Sequence, residues 1–259
     1  MDEHRPSPGL VTVGFVHGAE DTNKSWATSA WNYRARISRG ADHALGRDTL
    51  ARVITGSRRF LFEVARFKTW AASLPPGPRH GEWECDYAHW SELRVGFVAF
   101  LGEYTPEQWT AEETEAVLYA VARDNEVEIV AGAMSQFPEH LLAAARASVG
   151  SAEPDAKWQL AEVLTETIPE QAHAILGVLS SDDDEYVRRR VLLLLGRLRS
   201  PLVEALVDRA WETGNEYQRI AALHALHDVG SVRMQEFLSR AEADGRKYLI
   251  ENARKFRGP

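Results

Sequence analysis

The stretch DDDEYVRRRVLLLLGRL, residues 182–198, returns in altered form as GNEYQRIAALHALHDV at residues 214–229. A shift of 31 residues superposes Tyr186 on Tyr217 and Leu195 on Leu226. The positions that share this register are Asp124, Asp155, Tyr186, Tyr217 and Tyr248; Ile129, Leu160, Val191, Ala222 and Ala253; and Ala133, Leu164, Leu195 and Leu226. A fixed period of this length is typical of stacked helical repeats, so five copies of one helix are predicted.

A second helix is predicted between these copies, in FPEHLLAAARA, IPEQAHAILGVL and SPLVEALVDRAW. Each begins near a proline, Pro138, Pro169 or Pro201, and proline suits a first helical turn because the amide it lacks would have no partner there. Period 3.6 predicts buried faces. Their residues are Ala172, Ile175, Leu176 and Leu179 on one helix, and Leu202, Ala205, Leu206 and Ala210 on the next. Asp184 and Asn215 are the predicted N-caps of two first helices.

The run DDEYVRRRVLLLLGRL resembles the HEAT-like repeats of the phycobilisome-lyase type. The resemblance lies in an acid shortly before Val-Arg, then aliphatic residues and a Leu-Gly-x-Leu ending. It implies an α-solenoid whose second helices line the concave surface and which binds another macromolecule, and it implies no catalytic residue. The predicted fold is therefore mainly all-α. HEAT-like helix pairs are expected over residues 86–259, most clearly over 124–257, with an irregular, mostly helical N-terminal cap over residues 1–85.

The first 85 residues do not follow the repeat. LVTVGFVHG predicts a short strand, and RDTLARVITGSRRFLFEVARFKTWAASL predicts one or two amphipathic helices broken near Gly56. We expect this region to cover the apolar face of the first helix pair, because terminal repeats need a different outer surface. The stretch GAEDTNKS at residues 18–25 approaches a phosphate-binding loop, but Asn23 replaces its second glycine and two acids would repel the ligand. No nucleotide site is predicted.

The net charge of −8 is unevenly distributed. Residues 86–187 contain four Arg or Lys and twenty Asp or Glu, a balance of −16, whereas residues 31–80 carry +7 and residues 188–259 carry +5. An acidic field repels nucleic acid and anionic membrane surfaces and attracts basic proteins. No run approaches the ~20 apolar residues that span a bilayer. The chain starts without a secretory leader and has one cysteine, so a cytoplasmic location is expected.

A cluster of metal-ligand types occurs before the acidic segment. It consists of His80, Glu82, Glu84, Cys85 and His89. One thiol with two acids does not match the common zinc sets, so no metal or cofactor is predicted. Cys85 is interpreted as a small buried side chain. His224 and His227 are interpreted as partly buried structural histidines.

An acidic wall along the helices is the predicted binding site. Its residues are Glu112, Glu113, Glu115, Glu139, Glu170, His173, Glu204 and Asp208. Glu139 and Glu170 are 31 residues apart, and so are His173 and Glu204, which places them on stacked repeats. The chain is therefore predicted to be a non-enzymatic solenoid that binds a basic protein partner. In size and charge it is similar to immunity proteins that neutralise a basic toxin. A regulatory or assembly scaffold, and a bilin-lyase-like or other HEAT-repeat enzyme, are the alternatives.

Overall fold

The computed structural model describes residues 56–76 and 83–257, which all lie in one compact unit, Val53–Pro259. This part of the chain forms twelve α-helices and no strand, which confirms the predicted all-α fold. The helices are α1 Gly56–Ser73, α2 Trp90–Glu103, α3 Ala111–Arg123, α4 Ile129–Ala133, α5 Pro138–Ser148, α6 Pro154–Thr167, α7 Pro169–Leu179, α8 Glu185–Arg197, α9 Val203–Glu212, α10 Glu216–Val229, α11 Met234–Asp244 and α12 Lys247–Lys255. The strand predicted at LVTVGFVHG and the stretch GAEDTNKS lie outside the described residues.

The first helices of the repeats are α6, α8, α10 and α12, and each packs against the next in that order. Their buried positions follow the predicted register of 31 residues. The equivalent residues, all at most 2% exposed, are Leu160, Val191, Ala222 and Ala253, with Leu164, Leu195 and Leu226 one turn further. The repeated register is therefore confirmed from α6 to α12.

The second helices α5, α7, α9 and α11 alternate with the first helices along the chain and pack against them. The predicted buried face of α7 is confirmed, but on α9 Leu202 and Ala205 are exposed. Pro201 comes 32 residues after Pro169, one residue out of register, so Pro201 and Leu202 form a turn and α9 begins at Val203. The buried face of α9 consists of Val203, Val207, Ala210 and Trp211.

The starts of the helices follow the local sequence. The Asp184 carboxylate accepts a hydrogen bond from the Val187 amide at 3.0 Å, and the Asn215 side chain accepts from the Tyr217 amide at 2.8 Å. Both predicted N-caps are confirmed. Pro138 and Pro169 are the first residues of α5 and α7, as predicted.

The earliest copy of the first helix is out of register by one residue. Ile129 is 45% exposed, whereas Val130 and Met134 are fully buried. The cause is the turn before α4, where Glu128 adopts a left-handed conformation with φ 54° and the buried Asp124 carboxylate accepts from the Val130 amide at 2.8 Å. The prediction for Ile129 is therefore wrong, because this turn rotates the short helix α4.

The two layers of helices differ in how closely they pack. A Cβ atom on Gly196 of α8 would lie 2.8 Å from the Cα atom of Ala225 on α10, a distance that real Cβ atoms essentially never show. Glycine therefore allows the backbones of these two first helices to touch. The second helices α7 and α9, in contrast, scarcely contact each other.

Helix α1 packs against α2 and α3, and the break predicted near Gly56 stays a prediction because the residues before Gly56 lie outside the described part. Its Phe60 is fully buried, with its ring centroid 5.2 Å from that of Phe100 on α2. The interpretation of residues 1–85 as a cap stays a prediction, because residues 1–55 and 77–82 lie outside the described part. No described helix has both the length and the apolar character needed to cross a membrane.

Candidate functional site

Two of the predicted acids lie exposed on the second helices. Glu139 and Glu170 occupy the first turns of α5 and α7, where the helix dipole favours a negative charge. Neither carboxylate forms an ion pair with another residue of the described part. Their charge is therefore directed to solvent.

The acids on α9 are bound by an arginine that the sequence reasoning missed. Arg233 donates to both carboxylate oxygens of Asp208, at 2.7 and 3.0 Å, and its Nη1 lies 3.7 Å from the Glu204 carboxylate. The hydrogen bond from Arg233 holds the pKa of the Asp208 carboxyl below its ordinary value. This guanidinium comes from the turn before α11, so it neutralises acids one repeat away. The predicted wall is thus acidic at α5 and α7 and balanced at α9.

The three acids of α3 have separate roles. Glu113 is buried, forms a capping box with Thr110 and accepts a hydrogen bond from the Ser57 hydroxyl of α1. It therefore contributes no charge to an exposed wall. Glu112 and Glu115 are exposed, and Glu115 lies 3.6 Å from Lys68. They are carried by α3, which packs on α1 and α6, and they do not lie on a second helix.

His173 is exposed on α7, one turn after the start of the helix. Its Nδ1 lies 3.2 Å from the carbonyl oxygen of Pro169, so the ring nitrogen donates back to its own helix. This contact orients the ring toward the start of α7. His173 and Glu170 thus occupy the same end of the helix.

An exposed apolar strip lies on the same face of the second helices. We define it as Ala174 and Val178 on α7, with Leu202 and Ala205 at the start of α9. Val178 is 58% exposed and Leu202 is 44% exposed. A Cβ atom on Gly177 would lie 3.8 Å from Cδ1 of Leu202, so the Leu202 side chain lies beside α7 next to Val178. The strip therefore continues from α7 onto the start of α9.

In the layer of first helices, arginine side chains stack on aromatic rings of neighbouring repeats. The Arg190 guanidinium lies 4.5 Å from the Trp158 ring centroid, and that of Arg189 lies 4.6 Å from Tyr186 and 5.0 Å from Tyr217. Each such contact contributes about 0.5–1 kcal/mol at an exposed site. The register of Tyr186 and Tyr217 was visible in the sequence, but the stacking of Arg189 between them was not predicted. These contacts join α6, α8 and α10.

A carboxyl group at the first repeat has a shifted pKa. Burial, followed by the neighbouring Glu162 carboxylate, raises the pKa of Glu128 to about 7, and Arg190 opposes this shift. Glu162 itself accepts hydrogen bonds from Arg190 and, at 3.2 Å, from Arg197. This arrangement links the turn before α4 to α6 and α8.

The predicted cluster around Cys85 is only partly described, because His80 and Glu82 lie outside the described residues. Glu84 is buried and Cys85 is exposed, so the interpretation of Cys85 as a buried side chain is wrong. It lies on the short 3₁₀ helix Trp83–Asp86, whose buried position is taken by Glu84. His89 lies 2.6 Å from an Arg66 nitrogen and 3.2 Å from the Glu92 carboxylate. Across the described part, no three His, Cys, Asp or Glu side chains are grouped to hold a metal ion.

The two repeat histidines occupy different environments. His224 is half-buried, its ring lies 4.8 Å from that of Phe256 and its Nε2 lies 3.2 Å from the Asn252 side-chain oxygen. His227 is exposed on the same helix, so its interpretation as partly buried is wrong, whereas that of His224 is confirmed. Both contact the Phe256 ring, which lies after α12.

Comparison with known proteins identifies the repeats. The family model of HEAT repeats matches residues 138–227 and 173–253. No curated protein and no solved structure matches the chain. Residues 138–253 are therefore HEAT-like helical repeats, and the resemblance seen in the sequence is confirmed at the level of the repeat unit.

Proposed function

We propose that the solenoid is a non-enzymatic scaffold that binds a basic protein through the exposed face of its second helices. HEAT repeats support a protein-interaction scaffold. The observation that supports a basic partner is the position of Glu139 and Glu170, which are exposed on successive second helices and form no ion pair within the described residues.

The charge of the surrounding segment favours the same class of partner. Residues 86–187 carry a balance of −16, and a field of one sign accelerates encounter with proteins of the opposite sign. Because Arg233 already binds Asp208, the acids of α9 add less to this field than those of α5 and α7. The acids of α5 and α7 are therefore expected to contribute most of the attraction to the basic partner.

The test compares proteins captured from a lysate of the source cells by immobilised parent, by Glu139→Lys/Glu170→Lys and by Glu251→Lys. Glu251 is exposed on the first helix α12 and is the matched control for a reversed charge. We expect parent and control to retain the same basic protein at low salt and the double variant to lose it. Retention of that protein by the double variant, or a captured partner that is acidic, would contradict the proposal.

Folding must be checked separately in this experiment. A lysine in a first helical turn loses a favourable interaction of about 0.3–1 kcal/mol with the helix dipole. The variant Glu139→Gln/Glu170→Gln removes the charge without reversing it, so it should show intermediate retention and a melting temperature between those of the parent and the lysine variant. If the captured protein is a toxin, an assay of its inhibition separates an immunity-type inhibitor from an assembly scaffold.

A further inference from the structure

We infer that the apolar strip between α7 and α9 binds an amphipathic helix of the basic partner, an inference that rests on the proposed function. The strip supplies the contact for the apolar side of that helix, and the neighbouring acids select lysine or arginine on its flank.

The apolar strip differs from singly exposed apolar residues. Val178 and Leu202 are 58% and 44% exposed, and the Leu202 side chain lies over Gly177, next to Val178. Ala174 and Ala205, also exposed, extend the apolar surface along α7 and α9. Scattered exposed apolar side chains are ordinary, whereas contiguous ones mark interaction surfaces.

The apolar strip continues from one second helix to the next. Helices α7 and α9 make few close backbone contacts, but the Leu202 side chain reaches α7 at Gly177 and joins the two parts of the strip. The side chains of Ala174 and Ala205 are small, so they do not shield the strip from a partner.

The composition of this face suits a helical partner. The amides and carbonyls within α7 and α9 are used in their own helices, so they offer no unpaired edge on which an extended chain could add as a strand. The available contact is therefore between side chains. An amphipathic helix presents apolar side chains at i, i+3, i+4 and i+7 for such a contact and keeps its polar side for the neighbouring acids.

The charges around the apolar strip determine the polar side of the bound helix. Glu170 lies one turn before Ala174 on the same stripe of α7, and its carboxylate forms no ion pair within the described residues. Asp208 lies one turn after Ala205 but is bound by Arg233. The free negative charge is thus on the α7 side, so the lysine or arginine residues are expected on the flank of the bound helix that faces α7.

The experiment is a selection from a displayed library of random 16-residue peptides on the full chain. We expect the enriched peptides to carry apolar residues at helical spacing with lysine or arginine beside them. Val178→Ser/Leu202→Ser should weaken the binding of these peptides by about tenfold or more, because it removes most of the apolar contact. Val127→Ser, at a valine that is 55% exposed in the turn before α4, is the matched control and should leave their affinity unchanged.

The outcomes separate this inference from the proposed function. Basic peptides without helical apolar spacing that depend on Glu139 and Glu170 would overturn the inference and leave the proposed function intact. Enrichment of acidic peptides would overturn both. The inference also fails if no peptide is enriched, or if enriched amphipathic peptides bind Val178→Ser/Leu202→Ser as tightly as the parent while circular dichroism shows both proteins folded.

Discussion

The first and second helices of this solenoid are built from the same period but serve different purposes. The first helices touch at Gly196, stack arginines between rings and share one buried register. The second helices also bury one face, but α7 and α9 make few close backbone contacts and leave Val178 and Leu202 exposed to solvent. The difference indicates that the first helices pack tightly against one another, whereas the second helices present an exposed face on which a partner can bind.

The largest expected effect comes from a charge in the shared core. Leu226→Asp buries an unpaired carboxylate at a fully buried position of α10, which costs several kcal/mol, and neighbouring repeats share that core. Leu202→Asp makes the same change where the side chain is 44% exposed and should cost far less. Urea unfolding followed by circular dichroism measures both. Equal loss of stability would contradict the difference in burial between Leu226 and Leu202.

The next largest effect on stability is expected when one glycine of each layer of helices is replaced by alanine. Gly196→Ala places a methyl group against the backbone of Ala225 and should destabilise the protein by about 1–3 kcal/mol through overpacking. Gly177→Ala meets only Leu202 at an ordinary 3.8 Å and should stabilise α7 by about 0.5–1 kcal/mol. Thermal melts of the two variants should thus shift in opposite directions. A neutral Gly196→Ala would disprove the close contact of α8 and α10.

The third effect is a pH dependence of stability caused by Glu128 in the first repeat. The charged groups around Glu128 are Glu162 and Glu166 of α6, Arg190 of α8 and Asp124. The pKa of Glu128 is raised from 4.5 to about 7, so its ionised form destabilises the folded state. The loss of stability grows as the pH rises between these values and is constant above them.

Glu128→Gln tests this pH dependence. It should therefore raise the free energy of unfolding by about 1–2 kcal/mol near pH 8, after allowance for solvent screening, and change it little near pH 4. Urea titrations at both pH values measure the difference, with the exposed Glu139→Gln as control. The same gain at both pH values would assign the effect to something other than ionisation.

The smallest effect is the loss of an N-cap. Asn215→Ala removes the side-chain acceptor for the Tyr217 and Gln218 amides at the start of α10 and should cost about 1 kcal/mol. Asn215→Asp keeps an acceptor at the same position and should be nearly neutral. Equilibrium unfolding of both variants provides the comparison, and an equal cost for the two would argue against capping as the cause.

Periodicity explains which parts of the fold the sequence predicted. Leu195 and Leu226 were placed correctly because a buried position recurs at a fixed interval wherever helix and turn lengths are constant. Ile129 and Leu202 were placed wrongly because one residue of slip, at the left-handed Glu128 and at Pro201, rotates a helix by about 100° and moves a buried side chain to the surface.

The candidate site was less predictable because its contacts are not periodic. Arg233 binds Asp208 across repeats, and Ser57 binds Glu113 over 56 positions, so neither partner could be inferred from the spacing of the acids. The positions of Glu139 and Glu170 in a first helical turn were predictable, because each follows the proline that begins its helix. Ion pairs between repeats can therefore be identified only from the folded structure.

The claim that the second helices form the binding face is tested most directly by photo-crosslinking. A benzophenone amino acid is introduced at Ala174 on α7 or at Glu251 on α12. Both positions are exposed, one on a second helix beside the apolar strip and one on a first helix. In cells of the source organism, the account predicts a specific adduct with a basic protein from position 174 and none from position 251. An adduct formed from position 251 alone would contradict the claim that the second helices form the binding face.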